Sequence, residues 1–164
     1  MAKITLKGNP INTSGNLPAV GSNAPEFTMV KEDLSEAGLS AFACRKVLNI
    51  FPSVDTGVCA SSVRKFNEKA ASLKDTVVLN ISKDLPFAQK RFCGAEGIKN
   101  APAVSVWRSD FAQKYGLEIV DGPLKGLCSR AVLVLDASNK VVYAQQVAEI
   151  ATEPDYEAAL KVLN

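Results

Sequence analysis

The sequence contains no histidine. This absence excludes a cysteine activated by histidine, a histidine-ligated zinc site and the Ser-His-Asp triad. The four cysteines, at positions 44, 59, 93 and 128, include no CxxC pair. Neither a zinc ribbon nor a thioredoxin-type CxxC redox motif therefore fits the sequence.

An excess of charge of either sign is also missing. The 19 basic and 17 acidic residues are interspersed and give a net charge of +2, so there is no basic field for nucleic acid or anionic lipid. The first ten residues lack the apolar core of a signal peptide, and nowhere do about 18 uncharged apolar residues follow one another. We expect a soluble cytoplasmic protein with no nucleic-acid or membrane partner, in which any disulfide is transient or catalytic.

Length and composition favour a single domain. The chain has 164 residues, 47% of them hydrophobic, and no low-complexity or Pro/Gly-rich linker divides it. A chain of this size buries roughly two-thirds of its unfolded surface in one core. We therefore expect one compact domain over residues 1–164.

The periodicity of the apolar residues predicts a mixed α/β protein. Residues 46–51 and 76–82 are typical of buried strands, and residues 57–73 of an amphipathic helix between them, which gives a right-handed βαβ unit. Alternation over residues 3–7 predicts an N-terminal β-hairpin. The remaining predicted elements are strands at residues 27–30, 103–107, 131–135 and 140–147, and helices at 86–92, 110–115 and near 152–163.

Two of these helices carry specific start and stop signals. We expect Asp84 to cap the helix that begins at Pro86, and Gly94 and Gly97 to end it, which places Cys93 at the helix end. For the last helix, Thr152 with Asp155 resembles a capping box.

Cys59 is the candidate nucleophile. It follows the apolar strand at residues 47–51 and begins a helical stripe of apolar positions: Cys59, Val63, Phe66, Ala70 and Leu73. Unpaired N–H groups and the positive end of the helix dipole favour a thiolate at such a position. Thr56, three residues earlier, can present a hydroxyl beside the sulfur. The alternative is that Cys59 is a small buried hydrophobic residue.

Pro52, Thr56 and Cys59 match the PxxxTxxC signature of the peroxiredoxins. The sequence around this motif resembles the bacterial thiol peroxidase subfamily, and so do three later segments. The resemblance implies a thioredoxin-like fold with a central mixed sheet flanked by helices, whereas periodicity alone supports only a mixed sheet. The resembling segments are residues 49–67, 84–97, 121–126 and 152–160.

The resemblance also implies roles for individual residues. Cys59 would attack a peroxide oxygen and become a sulfenic acid. Arg130 matches an arginine that faces the nucleophile, and Pro52 would shield Cys59 from solvent or simply end the strand. Cys93, in Arg91-Phe-Cys-Gly94, matches the resolving cysteine. Because a disulfide needs Cα atoms within about 7 Å, we expect local unwinding around Cys59 and Cys93 before they join.

Substrate and partners follow from the resemblance alone. It implies reduction of hydrogen peroxide and alkyl hydroperoxides without metal, haem or flavin, thioredoxin as the reductant, and a homodimer. For Cys44 and Cys128 we expect plain packing. Arg45 and Lys46 lie close enough in sequence to lower the pKa of Cys44, and Cys128 lies two positions from Arg130 on the predicted strand.

Two other functions use the same residues. In a peroxide-sensing switch or a thiol-dependent binding protein, Cys59 is oxidised but changes a partner instead of turning over. In an inert thioredoxin-like scaffold, Cys59 has ordinary thiol reactivity. Turnover with a reductant separates the first of these from a peroxidase, and the reactivity of Cys59 separates the second.

Overall fold

A seven-stranded mixed sheet forms the centre of the structure, and a separate two-stranded sheet is formed by the N-terminus. The computed structural model describes residues 1–164. The strands are β1 (Lys3–Leu6), β2 (Asn9–Asn12), β3 (Met29–Val30), β4 (Glu36–Ala37), β5 (Arg45–Ile50), β6 (Thr76–Ser82), β7 (Ala103–Ser105), β8 (Ala131–Leu135) and β9 (Val141–Gln146). The helices are α1 (Gly57–Ala70), α2 (Pro86–Glu96), α3 (Phe111–Lys114) and α4 (Tyr156–Lys161), with a 3₁₀ turn at Leu39–Ala41.

The strand order in the large sheet is β4-β3-β7-β6-β5-β8-β9. The pairs β5–β6 and β6–β7 are parallel, and the remaining pairs are antiparallel. The predicted βαβ unit is β5-α1-β6, with β6 at the predicted residues and α1 starting at the predicted Gly57. The other predicted strands are present with ends shifted by up to two residues, which is the usual uncertainty of strand ends.

Both faces of the central strands are buried. In β5, Leu48 and Ile50 contact one core, whereas Val47 and the following Phe51 belong to clusters on the face covered by α1. This explains why β5 and β6 are continuous apolar runs with little alternation. The end of β5 therefore delivers the chain directly into the segment that carries Cys59.

The N-terminal hairpin is attached beyond β9 by two backbone bonds of Thr5, to Ala148 O and from Ile150 N, and by the carboxylate of Glu149. The Glu149 side chain, just beyond β9, accepts hydrogen bonds from Thr5 Oγ1 at 2.6 Å, Lys7 N at 2.9 Å and Gly8 N at 3.1 Å. These bonds, the one from Thr5 first, lower the pKa of Glu149 to about 2. Ile4 and Ile11 complete the contact in a small apolar cluster with Ile119 and Ile150. The hairpin is thus held beside the end of β9.

The predicted start of α2 at Pro86 is correct, but its predicted capping residue and its predicted end at Phe92 were wrong. Leu85, not Asp84, is the N-cap residue, and the Asp84 carboxylate bonds to a different segment. Gly94 lies inside the helix, which continues to Glu96 and ends at Gly97 with φ of 66°. A positive φ favours glycine, so Gly97 is the true terminator. Cys93 accordingly lies within the last turns of the helix and not at its end.

The start of α4 was also predicted incorrectly. Asp155 is itself the N-cap residue, and its carboxylate accepts a hydrogen bond from Ala158 N at 3.0 Å. Thr152 therefore does not form the expected capping box, and the helix ends at Lys161. An aspartate that bonds to the amide three residues on satisfies a first-turn donor by itself. None of the helices is long and apolar enough to cross a bilayer.

Candidate active site

Cys59 is the third residue of α1 and is fully buried. It packs in an apolar cluster that includes Phe51, Val54 and Val63. The first helical bond in this region runs from Ala60 N to Thr56 O at 3.0 Å. The N–H groups of the three residues before Ala60 therefore have no partner within the helix and point out of its N-terminal end. Their dipoles stabilise negative charge on an atom at this end of the helix.

Arg130 brings a guanidinium to the sulfur. Its Nη2 donates to Cys59 Sγ at 3.2 Å, and its Nε donates to Ile150 O at 2.9 Å, which fixes the plane of the fork. Arg130 is only 2% exposed, so solvent screens this contact little. It comes just before β8, on the loop that enters the sheet next to β5. The contact therefore places a guanidinium cation directly beside the sulfur.

One donor of the same guanidinium has no partner. Arg130 Nη1 is buried and makes no hydrogen bond, although buried donors in proteins are nearly always paired. The arginine lines a cleft of about 380 Å³ whose other lining residues are largely apolar. Those residues are Leu6, Lys7, Pro52, Thr56, Gly57, Val58, Leu124, Ile150 and Ala151. The cleft thus offers an unused N–H donor to a ligand that carries an oxygen acceptor.

Pro52 and Thr56 both border this cleft but differ in exposure. Pro52 is buried directly after β5 and borders the cleft. Thr56 is exposed and is the N-cap residue of α1, but its side chain forms no capping bond. Its Oγ1 donates to Ser53 O at 3.2 Å, and not to the sulfur. The hydroxyl therefore stabilises the loop in this state and faces the cleft.

Cys93 lies in the same apolar cluster as Cys59, with both thiols free. It is 6% exposed. Burial, together with the nearby Glu32 carboxylate, to which the thiol donates a hydrogen bond, raises the pKa of Cys93 to about 12. Glu32 belongs to the turn between β3 and β4. Cys93 is thus held as a protonated thiol in the reduced protein.

A chain of buried polar side chains, absent from the sequence-based prediction, lies below Cys59. Ser62 Oγ donates to Cys59 O at 2.8 Å and accepts from Asn49 Nδ2 at 3.2 Å. Asn49 Nδ2 also donates to Asn80 Oδ1 at 2.9 Å, and Asn80 Nδ2 donates to Ala101 O at 3.1 Å. All three polar side chains are fully buried. They tie the first turns of α1 to β5, β6 and the segment before β7.

The signal for this chain was present in the sequence. Asn49 and Asn80 each interrupt an apolar run at a position that should be buried. A polar residue at such a position needs a buried partner. The two positions are directly paired in the parallel register of β5 and β6, which the sequence alone does not fix.

The other two cysteines lie apart from this site. Cys128 is fully buried in the core on the face of the sheet away from α1, not on the face of Arg130, and burial raises its pKa to about 12. Arg45 donates hydrogen bonds to backbone carbonyls and not to the Cys44 thiol. Lys46 Nζ donates to the backbone carbonyl of Cys44 at 2.9 Å, and not to its thiol. No cluster of three or more carboxylate or thiol side chains is arranged to hold a metal ion.

The chain matches the Redoxin family over residues 19–160. It is 59% identical to the thiol peroxidase of Corynebacterium glutamicum over 165 aligned positions, which cover all of both chains. The structure superposes on that of a peroxiredoxin-like protein from Aquifex aeolicus with a TM-score of 0.91, 40% identity and coverage of 99% and 96% of the two chains. For the thiol peroxidase from Chromobacterium violaceum the TM-score is 0.92 at 26% identity, again with coverage of 99% and 96%.

These matches, with the mixed sheet and its flanking helices, make the chain a redox protein of the thioredoxin-like class. The predicted fold is thereby confirmed. Within that class the chain belongs to the Redoxin family and, inside it, to the bacterial thiol peroxidases among the peroxiredoxins. Members of this group are enzymes that reduce peroxides with the help of a thiol reductant, and the chain is such a peroxidase.

The environment of Cys93 gives a prediction about its ionisation. At pH 10 the Cys93 thiol should remain protonated, because its pKa of about 12 lies above that pH. Glu32→Gln should lower this pKa, since it removes the carboxylate charge that opposes the thiolate. Thiolate absorbance at 240 nm, taken as the difference between variants with and without Cys93, measures both values. Asp33→Asn, at an exposed neighbouring position, is the control, and an equal shift in both variants would contradict the role of Glu32.

Proposed function

We propose that this peroxidase uses Cys59 as its nucleophile, Cys93 as its resolving thiol, and Arg130, Thr56 and Pro52 as the residues that shape the peroxide site. The observation that carries the proposal is the guanidinium of Arg130. It donates to Cys59 Sγ at 3.2 Å and keeps a second buried donor, Nη1, unpaired. One rigid fork thus has a donor for the nucleophile and another for the substrate.

In the first step the Cys59 thiolate attacks the nearer oxygen of the hydroperoxide. The S–O bond forms as the O–O bond breaks, so the sulfur is oxidised to a sulfenic acid and the peroxide is reduced to an alcohol or water once the leaving oxygen takes up a proton. Negative charge moves from sulfur to the leaving oxygen. Arg130 Nη1 and the free amides at the start of α1 support this step, because donors aimed at developing charge lower the barrier.

In the second step Cys93 attacks the sulfenic sulfur. The S–S bond forms, the S–O bond breaks, and water leaves with the thiol proton. The shared apolar cluster of the two cysteines supports this pairing. Because Cys59 is held by Arg130 and Cys93 is buried in α2, the chain around both cysteines must loosen before the disulfide closes.

In the third step an external dithiol returns both cysteines to the thiol form and is itself oxidised to a disulfide. A thiol reductant is a property of the family, and we propose thioredoxin as the particular donor. The burial of both cysteines in the reduced protein supports this choice. A sulfur would become accessible to the thiol of a protein reductant only after oxidation, when the segments around the disulfide have loosened. A thioredoxin-containing compartment such as the cytoplasm suits four cysteines that are all free in this structure.

We further propose that the protein is a homodimer. Leu85, Phe87 and Trp107 are large apolar side chains with exposures of 48%, 66% and 37%. They lie on adjoining segments, because Ser105 Oγ donates to Asp84 O next to Leu85. Exposed apolar clusters of this kind are typical of protein interfaces.

Sedimentation velocity should show that the parent protein is a dimer and that Phe87→Glu converts it to a monomer. A monomeric parent protein would contradict the proposal.

The cysteine cycle predicts which thiols change on oxidation. One equivalent of cumene hydroperoxide added to the reduced protein should give a Cys59–Cys93 disulfide and leave Cys44 and Cys128 free, as mapped by peptide mass spectrometry after thiol blocking. Cys93→Ser should instead stop at a Cys59 sulfenic acid. Four unmodified cysteines would contradict the proposal. A disulfide that thioredoxin and its reductase cannot reduce would favour the peroxide-sensing switch.

The role of Arg130 predicts a loss of peroxide reactivity with little loss of structure. Arg130→Lys keeps a positive charge but cannot bond to the sulfur, to Ile150 O and to the substrate at once. The second-order rate constant for sulfenic acid formation should fall roughly a hundredfold, the usual effect of losing one such donor. Arg45→Lys is the control, because the Arg45 guanidinium is likewise held by backbone carbonyls, those of Leu163 and Lys74, but lies away from the site. Equal rates for both variants in rapid-quench experiments would contradict the assignment.

A further inference from the structure

Asp84 joins the segment before Cys59 to the strand that precedes α2. Its Oδ1 accepts from Ser53 Oγ at 2.7 Å, and its Oδ2 accepts from Val54 N at 2.9 Å and from Ser82 Oγ at 2.6 Å. Ser53 and Val54 belong to the loop between β5 and α1, whereas Ser82 is the last residue of β6. A single half-buried carboxylate therefore holds two chain segments 28 or more positions apart.

The same network continues into α2. Ser82 Oγ, which donates to Asp84, accepts from Gln89 Nε2 at 3.1 Å. Gln89 is fully buried in α2, and its Nε2 also donates to Val104 O at 2.9 Å. Asp84 immediately precedes Leu85, the N-cap residue of α2. The carboxylate thus connects the Cys59 loop to the helix that carries Cys93.

The ion pairs between these two parts of the chain are weaker than the bonds of Asp84. Asp55 pairs with Arg91 at 3.2 Å and Arg64 with Glu96 at 3.4 Å, but all four side chains are more than a third exposed. Exposed ion pairs contribute little to stability. The bonds of Asp84 are charge-assisted and partly shielded from water, which makes them the stronger class.

We propose that Asp84 is a positioning residue that makes the loosening of the Cys59 loop and the loosening of α2 one concerted event. While its carboxylate is bonded, the loop is held for the attack on peroxide and Cys93 stays buried. When these bonds break, both segments are released together and the two sulfurs can meet. This inference rests on the proposed roles of Cys59 and Cys93.

The test compares Asp84→Ala with Asp136→Ala. Asp136 is the control, because its carboxylate likewise holds a connecting segment by hydrogen bonds, which it accepts from Ser138 N and Lys140 N at 2.9 Å in the β8–β9 turn. The readout is the alkylation rate of each cysteine in the fully reduced protein. Asp84→Ala should raise the rate at Cys93 roughly tenfold or more. Cys128, in the core on the other face of the sheet, reports global unfolding and should not change.

A milder variant tests the coupling itself. Ser53 bonds to the Asp84 carboxylate and makes no side-chain bond to α2. Ser53→Ala should nevertheless speed alkylation of Cys93, by a smaller factor, because the release of the loop releases the helix. If Ser53→Ala leaves Cys93 unchanged, or if Asp84→Ala accelerates Cys93 and Cys128 equally, the coupling is disproved.

Peroxide kinetics complete the test. In Asp84→Ala, sulfenic acid formation at Cys59 should slow roughly tenfold, since the loop is no longer held, while disulfide formation after it should become faster. Both steps slowing together would overturn the inference. If the parent protein forms no Cys59–Cys93 disulfide, the proposed cycle fails, but the alkylation of reduced Cys93 still decides the role of Asp84.

Discussion

The proposed attack on peroxide requires a negative charge on a buried sulfur, and the rest of the proposed site depends on this constraint. Cys59 has no exposed surface, and water cannot stabilise its thiolate there. Unit charges about 4 Å apart attract by roughly 4 kcal/mol at an effective dielectric constant near 20, and desolvation offsets part of this. The guanidinium of Arg130 at 3.2 Å supplies that attraction. The contact between Arg130 and the sulfur is supported by the start of α1, by the buried Pro52 and by the carbonyl of Ile150, which orients the guanidinium.

The packing that protects this thiolate also opposes the second half of the proposed cycle. The backbone of Cys59 is hydrogen-bonded to β5 and β6 through Ser62, Asn49 and Asn80. The helix that carries Cys93 is held by the bond from Gln89 to Val104 O and by the apolar cluster. A structure optimised only for rigidity would leave the two sulfurs apart. Bonds concentrated at a few points, such as the Asp84 carboxylate, allow a local opening without loss of the core.

The sequence predicted the βαβ unit because its strands and helix have strong, different periodicities, and it predicted Cys59 because helix-start chemistry is local. Arg130 came from resemblance, since nothing local shows that residue 130 meets residue 59. The end of α2 was missed because Gly94 breaks a helix only where packing does not override its propensity. Asp84 was assigned to the nearest helix start, whereas its partners lie about 30 positions away. The error at Asp84 was therefore one of long-range pairing, whereas the errors at Gly94 and Thr152 concerned local helix ends.

The two thiols of the proposed cycle differ mainly in the charge beside them. Cys59 lies against the cationic Arg130, whereas Cys93 faces the anionic Glu32. The carboxylate of Glu32 adds to burial in opposing the loss of the Cys93 proton. A protonated, buried Cys93 does not compete with Cys59 for peroxide, so the oxidant reacts first at the sulfur that Arg130 serves. In the proposed cycle, the loosening of α2 takes Cys93 away from both its apolar surroundings and Glu32, which removes the two causes of its raised pKa. The electrostatics of the reduced fold thereby support the proposed order, in which Cys59 reacts before Cys93.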